Sequence, residues 1–178
     1  MEINKKWAMP NSKTFKIKPI KELIIKYVNL LHRPIIVDPF ANECSIHEHL
    51  PNESIYISND LDTQYNTEYH FDALEFLKKF EDKSVDIVLY DPPYSARQVS
   101  ECYKKLDRTV TTQDTSSKPF ANYKKEISRI LKPNGMCISF MWNTNGIGKN
   151  LGMQQIEILI VSHGGMHNDT LCVVEKKI

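Results

Sequence analysis

Residues Ser84–Ser95 decide the fold of this chain; they have the sequence Ser-Val-Asp-Ile-Val-Leu-Tyr-Asp-Pro-Pro-Tyr-Ser. Residues 85–90 form an apolar run rich in β-branched and aromatic residues, which is typical of a buried parallel strand. Pro92 and Pro93 have no backbone N–H to give to a sheet, so the strand is expected to end at Asp91. Open α/β sheets bind their ligands at the carboxyl ends of their strands. The sequence therefore predicts a binding site at Asp91.

The four residues Asp91, Pro92, Pro93 and Tyr94 have a specific chemical interpretation. The exocyclic amine of a nucleobase is a weak nucleophile, because its lone pair is delocalised into the ring. A carboxylate at Asp91 and the backbone carbonyl at Pro92 would hold both amine hydrogens and aim the lone pair at an electrophilic methyl group. The ring of Tyr94 offers a flat face to an unstacked base, a contact worth about 1–3 kcal/mol. The simpler alternative is a turn after the strand in which Asp91 caps a helix.

An Asp-Pro-Pro-Tyr motif after a hydrophobic strand resembles motif IV of the amino-methyltransferases that use S-adenosylmethionine (SAM). The version with Asp is similar to the DNA adenine-N6 branch, whereas the cytosine-N4 branch more often has Ser. The resemblance implies methyl transfer from SAM to the N6 amine of a flipped adenine in DNA, with Asp91, Pro92, Pro93 and Tyr94 as the catalytic residues.

A second motif is Lys18-Pro19, which begins an amphipathic helix. Proline suits the first turn of a helix, and apolar residues follow at helical spacing. An amphipathic helix packed on a sheet explains this pattern by itself. The motif also resembles motif X of the same family, which closes over the methionine end of SAM, and this implies a cofactor contact at Lys18.

A third motif follows the predicted buried strand at residues 34–37. It resembles motif I, in which a glycine-rich turn approaches the cofactor, and it implies cofactor contacts from Asp38, Pro39, Phe40 and Ala41. The family pattern continues with Gly-Ser-Gly, whereas this chain has Asn42-Glu43-Cys44. Asn tolerates a left-handed backbone better than most residues, so a turn of the same shape stays possible.

Two further acids come after predicted strand ends. Asp60 follows a strand at residues 54–58, where an acid can bind ribose hydroxyls; Asp62 is the second choice, and a solvated loop carboxylate is the alternative. Asp72 and Glu75 have the spacing of a helix capping box. The resemblance adds that an acid at position 72 faces the adenine of SAM.

The segment after the motif, residues 95–118, is rich in charged and polar residues. We expect a short helix from Arg97 and then a loop, together forming a mobile substrate segment. Its basic residues are the predicted nucleic-acid contacts: Arg97, Lys104, Lys105 and Arg108. No separate target-recognition domain is visible in the sequence, so selectivity is expected to be slight, or to come from a homo-oligomer or a partner.

Length and composition place limits on the remaining interpretations. The 178 residues suit one domain, with residues 17–94 as the cofactor-binding half and catalytic motif and 119–178 as the C-terminal half of the sheet. A net charge of +1 excludes a global basic field. Four scattered cysteines and the lack of an apolar run of membrane length favour a reduced, cytoplasmic protein that does not enter a membrane. The pair His47 and His49 lacks a third ligand nearby, so no metal is expected.

From Lys18 onward the chain alternates strands and helices and ends in a hairpin, with residues 1–16 expected to be irregular. The resemblance implies an α/β, Rossmann-like class I SAM-dependent methyltransferase fold, with a seven-stranded, mostly parallel sheet. The predicted end of the sheet is a strand at Met136–Trp142 and an antiparallel pair at 156–161 and 170–174. Three alternatives stay open for the function: an RNA amino-methyltransferase, a cytosine-N4 methyltransferase, and a catalytically weak SAM-fold binding subunit.

Overall fold

One seven-stranded sheet organises the computed structural model, which describes residues 1–105, 118–165 and 167–178. In chain order, the strands and helices are β1 (Glu2–Trp7), α1 (Lys18–Val28), β2 (Ile35–Asp38), β3 (Ile55–Ser58), α2 (Ala73–Leu77), β4 (Val85–Tyr90), α3 (Ala96–Lys105), α4 (Lys118–Ile130), β5 (Leu131–Met141), β6 (Met153–Ser162) and β7 (Thr170–Lys177). None of the helices in the described part of the chain is long and apolar enough to cross a membrane.

The strands lie in the order β1-β6-β7-β5-β4-β2-β3. The pairs β2–β3, β2–β4, β4–β5 and β1–β6 are parallel. Among the strands of the described residues, only β7 runs against its neighbours, since it pairs antiparallel with both β5 and β6. The predicted architecture, a mostly parallel Rossmann-like sheet with a C-terminal antiparallel hairpin, is confirmed.

Strand β4 lies in the interior of the sheet, between β5 and β2, and is buried on both faces. Ile87 and Leu89 face the core that contains α1, and Val88 and Tyr90 face the core that contains α2 and α4; all four are fully buried. Each apolar side chain of this size stabilises the fold by about 1.5–3 kcal/mol through its burial. This two-sided burial explains why residues 87–90 are continuously apolar rather than alternating with polar residues.

The expectation of an irregular N-terminus is wrong, because residues 2–7 form β1. This strand pairs in parallel with β6 and becomes the edge of the sheet. All of its residues except Asn4 are exposed, so it has no apolar face by which the sequence indicates a strand. The sequence predicts that the hairpin of β6 and β7 forms the edge of the sheet. This prediction is wrong, because β1 lies outside β6.

The fifth strand begins earlier than predicted, at Leu131 rather than Met136. Leu131 pairs with Val85 and Met136 pairs with Ile87, so the residues between them form an irregular insertion in the ladder. Asn134 lies in this insertion with a φ of 67°, a left-handed conformation that Asn tolerates. Residues 132–135 are thus an irregular part of the strand instead of lying before it.

Candidate active site

The carboxyl ends of three parallel strands bring three predicted site carboxylates to one edge of the sheet. Asp38 is the last residue of β2, Asp60 follows β3, and Asp91 comes directly after β4. Asp72 joins them because Tyr69 forms a parallel bridge with Asn59, after which the chain enters α2. Asp72 caps this helix by accepting a 2.9 Å hydrogen bond from Leu74 N.

Asp38 is completely buried and accepts two hydrogen bonds. Its Oδ2 accepts from the Tyr56 hydroxyl at 2.8 Å, and its Oδ1 accepts from Phe40 N at 3.2 Å. Burial raises the pKa of Asp38 to about 8, and the nearby carboxylates Asp91 and Asp60 act in the same direction. A positively charged ligand at this edge would favour the ionised form of Asp38.

The turn after β2 has the backbone shape of a glycine-rich turn without containing glycine. Asn42 has a φ of 49° and Cys44 a φ of 53°, and these are the two positions at which the family pattern expects glycine. Asn42 N donates a 2.9 Å hydrogen bond to Asp60 Oδ2, and the other oxygen of Asp60 accepts from Asp62 N. Burial raises the pKa of Asp60, while these two hydrogen bonds lower it. The turn and the predicted ribose-binding acid are therefore connected directly.

Glu43, which is unexpected in such a turn, has a structural role. Its carboxylate forms ion pairs with Lys13 and Lys16, which hold its pKa below the usual range. Both lysines belong to the segment between β1 and α1. Glu43 therefore attaches this N-terminal segment to the turn after β2.

Asn59 is a positioning residue that the sequence analysis missed. Its side chain is almost completely buried and donates to the carbonyl oxygens of Pro39 and Phe71, while it accepts from Phe71 N. These bonds join the residues after β2 to the residues before Asp72. A polar side chain directly after an apolar strand was the available signal, but its partners lie 12 and 20 residues away in the sequence.

The predicted catalytic motif, residues 91–94, forms a hydrogen-bonded aromatic corner after β4. The Tyr94 hydroxyl donates a 2.6 Å hydrogen bond to Asp91 Oδ1, and the Tyr94 ring packs edge-on against Trp142, with ring centroids 5.3 Å apart. Tyr94 N donates to Gln98 Oε1, which ties the motif to the first turn of α3. Burial raises the pKa of Asp91 to about 6, against the opposing effect of the Tyr94 hydrogen bond. Trp142, one residue past β5, was not recognised as a site residue in the sequence.

A cavity of about 440 Å³ opens beside this aromatic corner. It is lined by Pro10, Asn11, Ser12, Thr14 and Ile17 of the N-terminal segment, Tyr94 and Gln98, Trp142, and His163, His167, Asn168 and Thr170 around the turn between β6 and β7. The walls combine two aromatic rings with hydroxyl, amide and imidazole groups. Such a cavity suits a flat heterocycle that carries hydrogen-bonding groups on its edge.

The remaining predicted cofactor residues lie in different surroundings. Phe40 packs against Tyr90 and Tyr123, and Ala41 is buried, where its N–H donates to Asn59 O. The side chain of Lys18 is 83% exposed and pairs with Glu22 of the same helix, and within the described ranges it forms no ion pair with the carboxylates at the sheet edge. The predicted helix that begins at Lys18 is confirmed as α1.

The predicted nucleic-acid residues lie on α3 and beyond it. Arg97 is exposed and pairs with Glu101, and Lys104 is exposed. Lys105 is the last residue of α3, and Arg108 lies outside the described residues. Tyr103 of the same helix places its hydroxyl 3.5 Å from Asp72 Oδ2, so α3 lies near the carboxylate edge.

The carboxylates at the sheet edge form no ion pair with a basic side chain within the described part of the chain. None of the ion pairs found there involves Asp38, Asp60, Asp72 or Asp91. An edge with several unpaired acids favours a ligand that carries positive charge and hydroxyl donors.

Comparison with solved structures identifies the fold. The chain is similar to a SAM-dependent methyltransferase from Archaeoglobus fulgidus, with a TM-score of 0.63, 11% identity, and coverage of 90% of this chain and 94% of the other. Precorrin-6y C5,15-methyltransferase from Geobacter metallireducens GS-15 gives a TM-score of 0.63 at 13% identity, with coverage of 96% and 95%. TrmN from Thermus thermophilus gives 0.60 at 15% identity; 91% of this chain is covered, but it spans only 49% of that structure.

These similarities define the class of fold, which is that of the class I SAM-dependent methyltransferases. No family model matches the sequence, and a search of curated proteins finds no similar sequence.

Proposed function

We propose that this protein transfers a methyl group from SAM to the exocyclic N6 amine of adenine in DNA. The observation that carries the proposal is the corner formed by Asp91 and Tyr94 at the carboxyl end of β4, next to a cavity of about 440 Å³. The fold supports methyl transfer in general, and the Asp-Pro-Pro-Tyr motif supports an amine of a base as the acceptor. The cavity has a size and a lining that suit a single base.

The carboxylate edge fits SAM, which would supply a methyl group already activated by its sulfonium. Asp60 would bind the ribose hydroxyls, Asp72 the adenine amine, and the turn at residues 38–44 the methionine end. The positive charges of this cofactor complement the acids at this edge and would favour the ionised form of Asp38, whose pKa burial raises to about 8. The left-handed conformation of Asn42 and Cys44 keeps the backbone shape on which the pattern depends.

The chain's own residues perform the positioning step. Tyr94 donates to Asp91 Oδ1 and Thr14 also hydrogen-bonds to this carboxylate, so a remaining lone pair of Asp91 would accept one hydrogen of the target amine. The backbone carbonyl at Pro92 would accept the other hydrogen. With a pKa of about 6, Asp91 is mostly ionised at neutral pH and is able to accept. After attack, the amine nitrogen loses a proton, for which Asp91 is the nearest acceptor in this arrangement.

Contacts with the nucleic-acid backbone are proposed for Arg97, Lys104, Lys105 and Arg108. Charge reversal at Lys104 and Lys105 together is expected to weaken DNA binding and to flatten its salt dependence, because fewer counterions are released. Binding isotherms measured at several salt concentrations test this. An unchanged affinity and slope would place the DNA on another surface.

The decisive experiment uses purified protein, labelled SAM, and DNA or RNA of the same sequence. Asp91→Ala should abolish methyl incorporation, and Asp91→Asn should lower it strongly, because the amide retains only one acceptor and no charge. Asp82→Ala is the matched control, since Asp82 is an exposed acid that pairs with Arg129. The product is identified as N6-methyladenine or N4-methylcytosine. Full activity in Asp91→Ala, or a methylated protein in place of a methylated base, would overturn the proposal.

The same assay distinguishes the alternatives. Incorporation into RNA alone identifies an RNA amino-methyltransferase, and N4-methylcytosine identifies the cytosine branch. Calorimetric binding of SAM without transfer to either nucleic acid identifies a catalytically weak binding subunit. A folded protein that does not bind SAM would remove the methyltransferase interpretation.

A further inference from the structure

Both tryptophans of the chain are exposed, and both lie at the same edge of the sheet. The exposed fractions are 65% for Trp7 and 43% for Trp142. Tryptophan has a large apolar area and is usually well buried, so a pair of exposed indoles indicates a binding surface.

The topology places these two rings in line with the candidate active site. Strand β1 is parallel to β6, and β5 and β6 both pair antiparallel with β7, so β1, β5 and β4 run in the same direction. Trp7 ends β1, Trp142 follows β5, and Asp91 follows β4. All three are therefore at the carboxyl edge. Three strand spacings separate β1 from β5, which is about 14 Å at the usual distance between strands.

The segment after Trp7 connects its ring to the cavity. His163 holds this segment, because its Nδ1 lies 3.0 Å from Ala8 O and its Nε2 lies 2.9 Å from the Thr170 hydroxyl. The turn after β6 also approaches the indole: a Cβ atom on Gly164 would lie 3.5 Å from Trp7 Nε1. Directly afterwards, residues 10–12 form a wall of the cavity beside Tyr94. An extended ligand that leaves the cavity on this side would pass over Trp7.

The charge around Trp7 favours an anionic ligand. Four of the seven lysines among residues 1–26 form ion pairs with glutamates, whereas Lys5 and Lys6, which belong to the same strand as Trp7, do not do so in the described part of the chain. Lys5 lies two residues before Trp7, so both side chains are on the same face of β1. Lys5 and Lys6 are exposed and form no ion pair with another residue in the described ranges.

We infer that the carboxyl edge from Tyr94 through Trp142 to Trp7 is a track for an unpaired strand of nucleic acid, on which a base flanking the target stacks on Trp7 and Lys5 contacts a phosphate. The inference rests on the proposed function for the identity of the target base. Aromatic faces combined with lysines are the features by which proteins hold single strands with little dependence on sequence. The substrate class is therefore a single-stranded or locally opened nucleic acid rather than an intact duplex.

A binding titration tests the track without requiring methyl transfer. A fluorescently labelled single-stranded DNA 12-mer with one central adenine is titrated with wild-type protein, Trp7→Ala, Trp7→Phe and the control Leu30→Ala. Leu30 is 67% exposed, similar to Trp7, but it lies after α1 and away from the track. We expect Trp7→Ala to weaken binding by about five-fold or more, because one stacking contact is lost. Trp7→Phe should retain most of the affinity, Leu30→Ala should not change it, and Lys5→Gln should lower the salt slope by about one.

The outcomes separate this inference from the proposed function. Loss of affinity in Trp7→Ala supports the track, whether or not a methyl group is transferred. If no methyl group is transferred by the wild-type protein, the proposed function fails and the track remains supported. If wild type and Trp7→Ala methylate normally and have equal affinity and KM for the 12-mer, the track is overturned and the proposed function is not. Equal or tighter binding of a blunt duplex would also overturn it. Sedimentation that shows a dimer which Trp7→Ala dissociates, with DNA affinity unchanged, would assign this surface to a second copy of the chain and overturn the inference.

Discussion

The hydroxyl of Tyr94 donates a 2.6 Å hydrogen bond to Oδ1 of Asp91, three residues earlier in the chain. The same ring packs against Trp142, so its orientation is fixed at both ends. The hydrogen bond stabilises the ionised carboxylate, whereas burial of Asp91 favours the neutral acid. Tyr94 therefore lines the cavity with its ring, and its hydroxyl lowers the pKa of Asp91 against the effect of burial.

The first prediction concerns the hydroxyl of Tyr94. From the sequence alone Tyr94→Phe is expected to be tolerated, because only the ring stacks on a base. The hydrogen bond to Asp91 changes that expectation: without it the pKa of Asp91 rises above about 6, so a larger fraction of Asp91 is neutral at pH 7. We expect the acidic limb of the pH profile of kcat/KM to move to higher pH, with activity recovered near pH 8. Tyr94→Ala should lose activity at every pH. Profiles that superimpose for wild type and Tyr94→Phe would contradict this.

The second prediction concerns the stability of the protein without ligand as a function of pH. Burial raises the pKa of Asp38 to about 8 in the folded protein, whereas the pKa of an exposed Asp is 3.8. Below pH 3.8 Asp38 is protonated in both the folded and the unfolded protein, and its full contribution to stability is present. Between the two values the folded state holds a proton that the unfolded chain has released, so stability falls as pH rises through about 8. Asp38→Asn removes this dependence.

Thermal unfolding from pH 4 to pH 9 measures the effect. The melting temperature of Asp38→Asn relative to wild type should increase with pH, by about 2–4 °C for each kcal/mol. Tyr56→Phe provides a second variant, because it removes the hydrogen bond that favours the ionised form of Asp38. Without this hydrogen bond the pKa of Asp38 is higher, so the stability of Tyr56→Phe should continue to fall up to a higher pH than that of wild type. A constant difference between Asp38→Asn and wild type would show that Asp38 does not titrate in this range.

The third prediction concerns Asn59. Asn59→Ala leaves the carbonyl oxygens of Pro39 and Phe71 and the N–H of Phe71 without this partner. We expect a loss of roughly 2–4 kcal/mol in the free energy of unfolding, because buried polar groups lose their hydrogen bonds. The exposed Asn150→Ala is the control and should change stability by less than about 0.5 kcal/mol.

If Asn59 only stabilised the fold, Asn59→Ala would lower the free energy of unfolding and leave the affinity for SAM unchanged. Calorimetry at a temperature where Asn59→Ala remains folded should show weaker SAM binding than in wild type, because Asn59 holds the residues after Asp38 and before Asp72. Equal SAM affinity in the two folded proteins would restrict Asn59 to stabilising the fold.

The sequence predicts the secondary-structure elements that are determined by the pattern of consecutive residues. Strand β4 and helix α1 were predicted because an apolar run and an amphipathic period are visible in consecutive residues. Strand β1 was missed because its pairing with β6 joins residues more than 150 positions apart and leaves no apolar pattern. The contacts of Asn59 and the packing of Trp142 on Tyr94 likewise depend on how distant strand ends meet. Motif positions were therefore accessible from the sequence, whereas the hydrogen bonds that orient them were not.

The last prediction concerns the turn at residues 42–44, where glycines are expected and absent. Cys44 has a φ of 53°, a conformation that costs a residue with a Cβ atom about 1–2 kcal/mol. Cys44→Gly removes this strain, while the greater freedom of glycine in the unfolded chain costs about 0.5–1 kcal/mol. We therefore expect the free energy of unfolding to stay equal or to rise by up to about 1 kcal/mol. Ser45→Gly is the matched control, since the φ of Ser45 is not positive and this substitution should lower stability.

Cys44→Gly also removes a side chain from the turn proposed to approach the cofactor. SAM should therefore bind Cys44→Gly at least as tightly as wild type. Denaturant unfolding and calorimetry measure both quantities. A loss of stability as large as that of Ser45→Gly would mean that the thiol, which is half-buried and 3.7 Å from Asn66 O, stabilises the turn by more than its backbone strain costs.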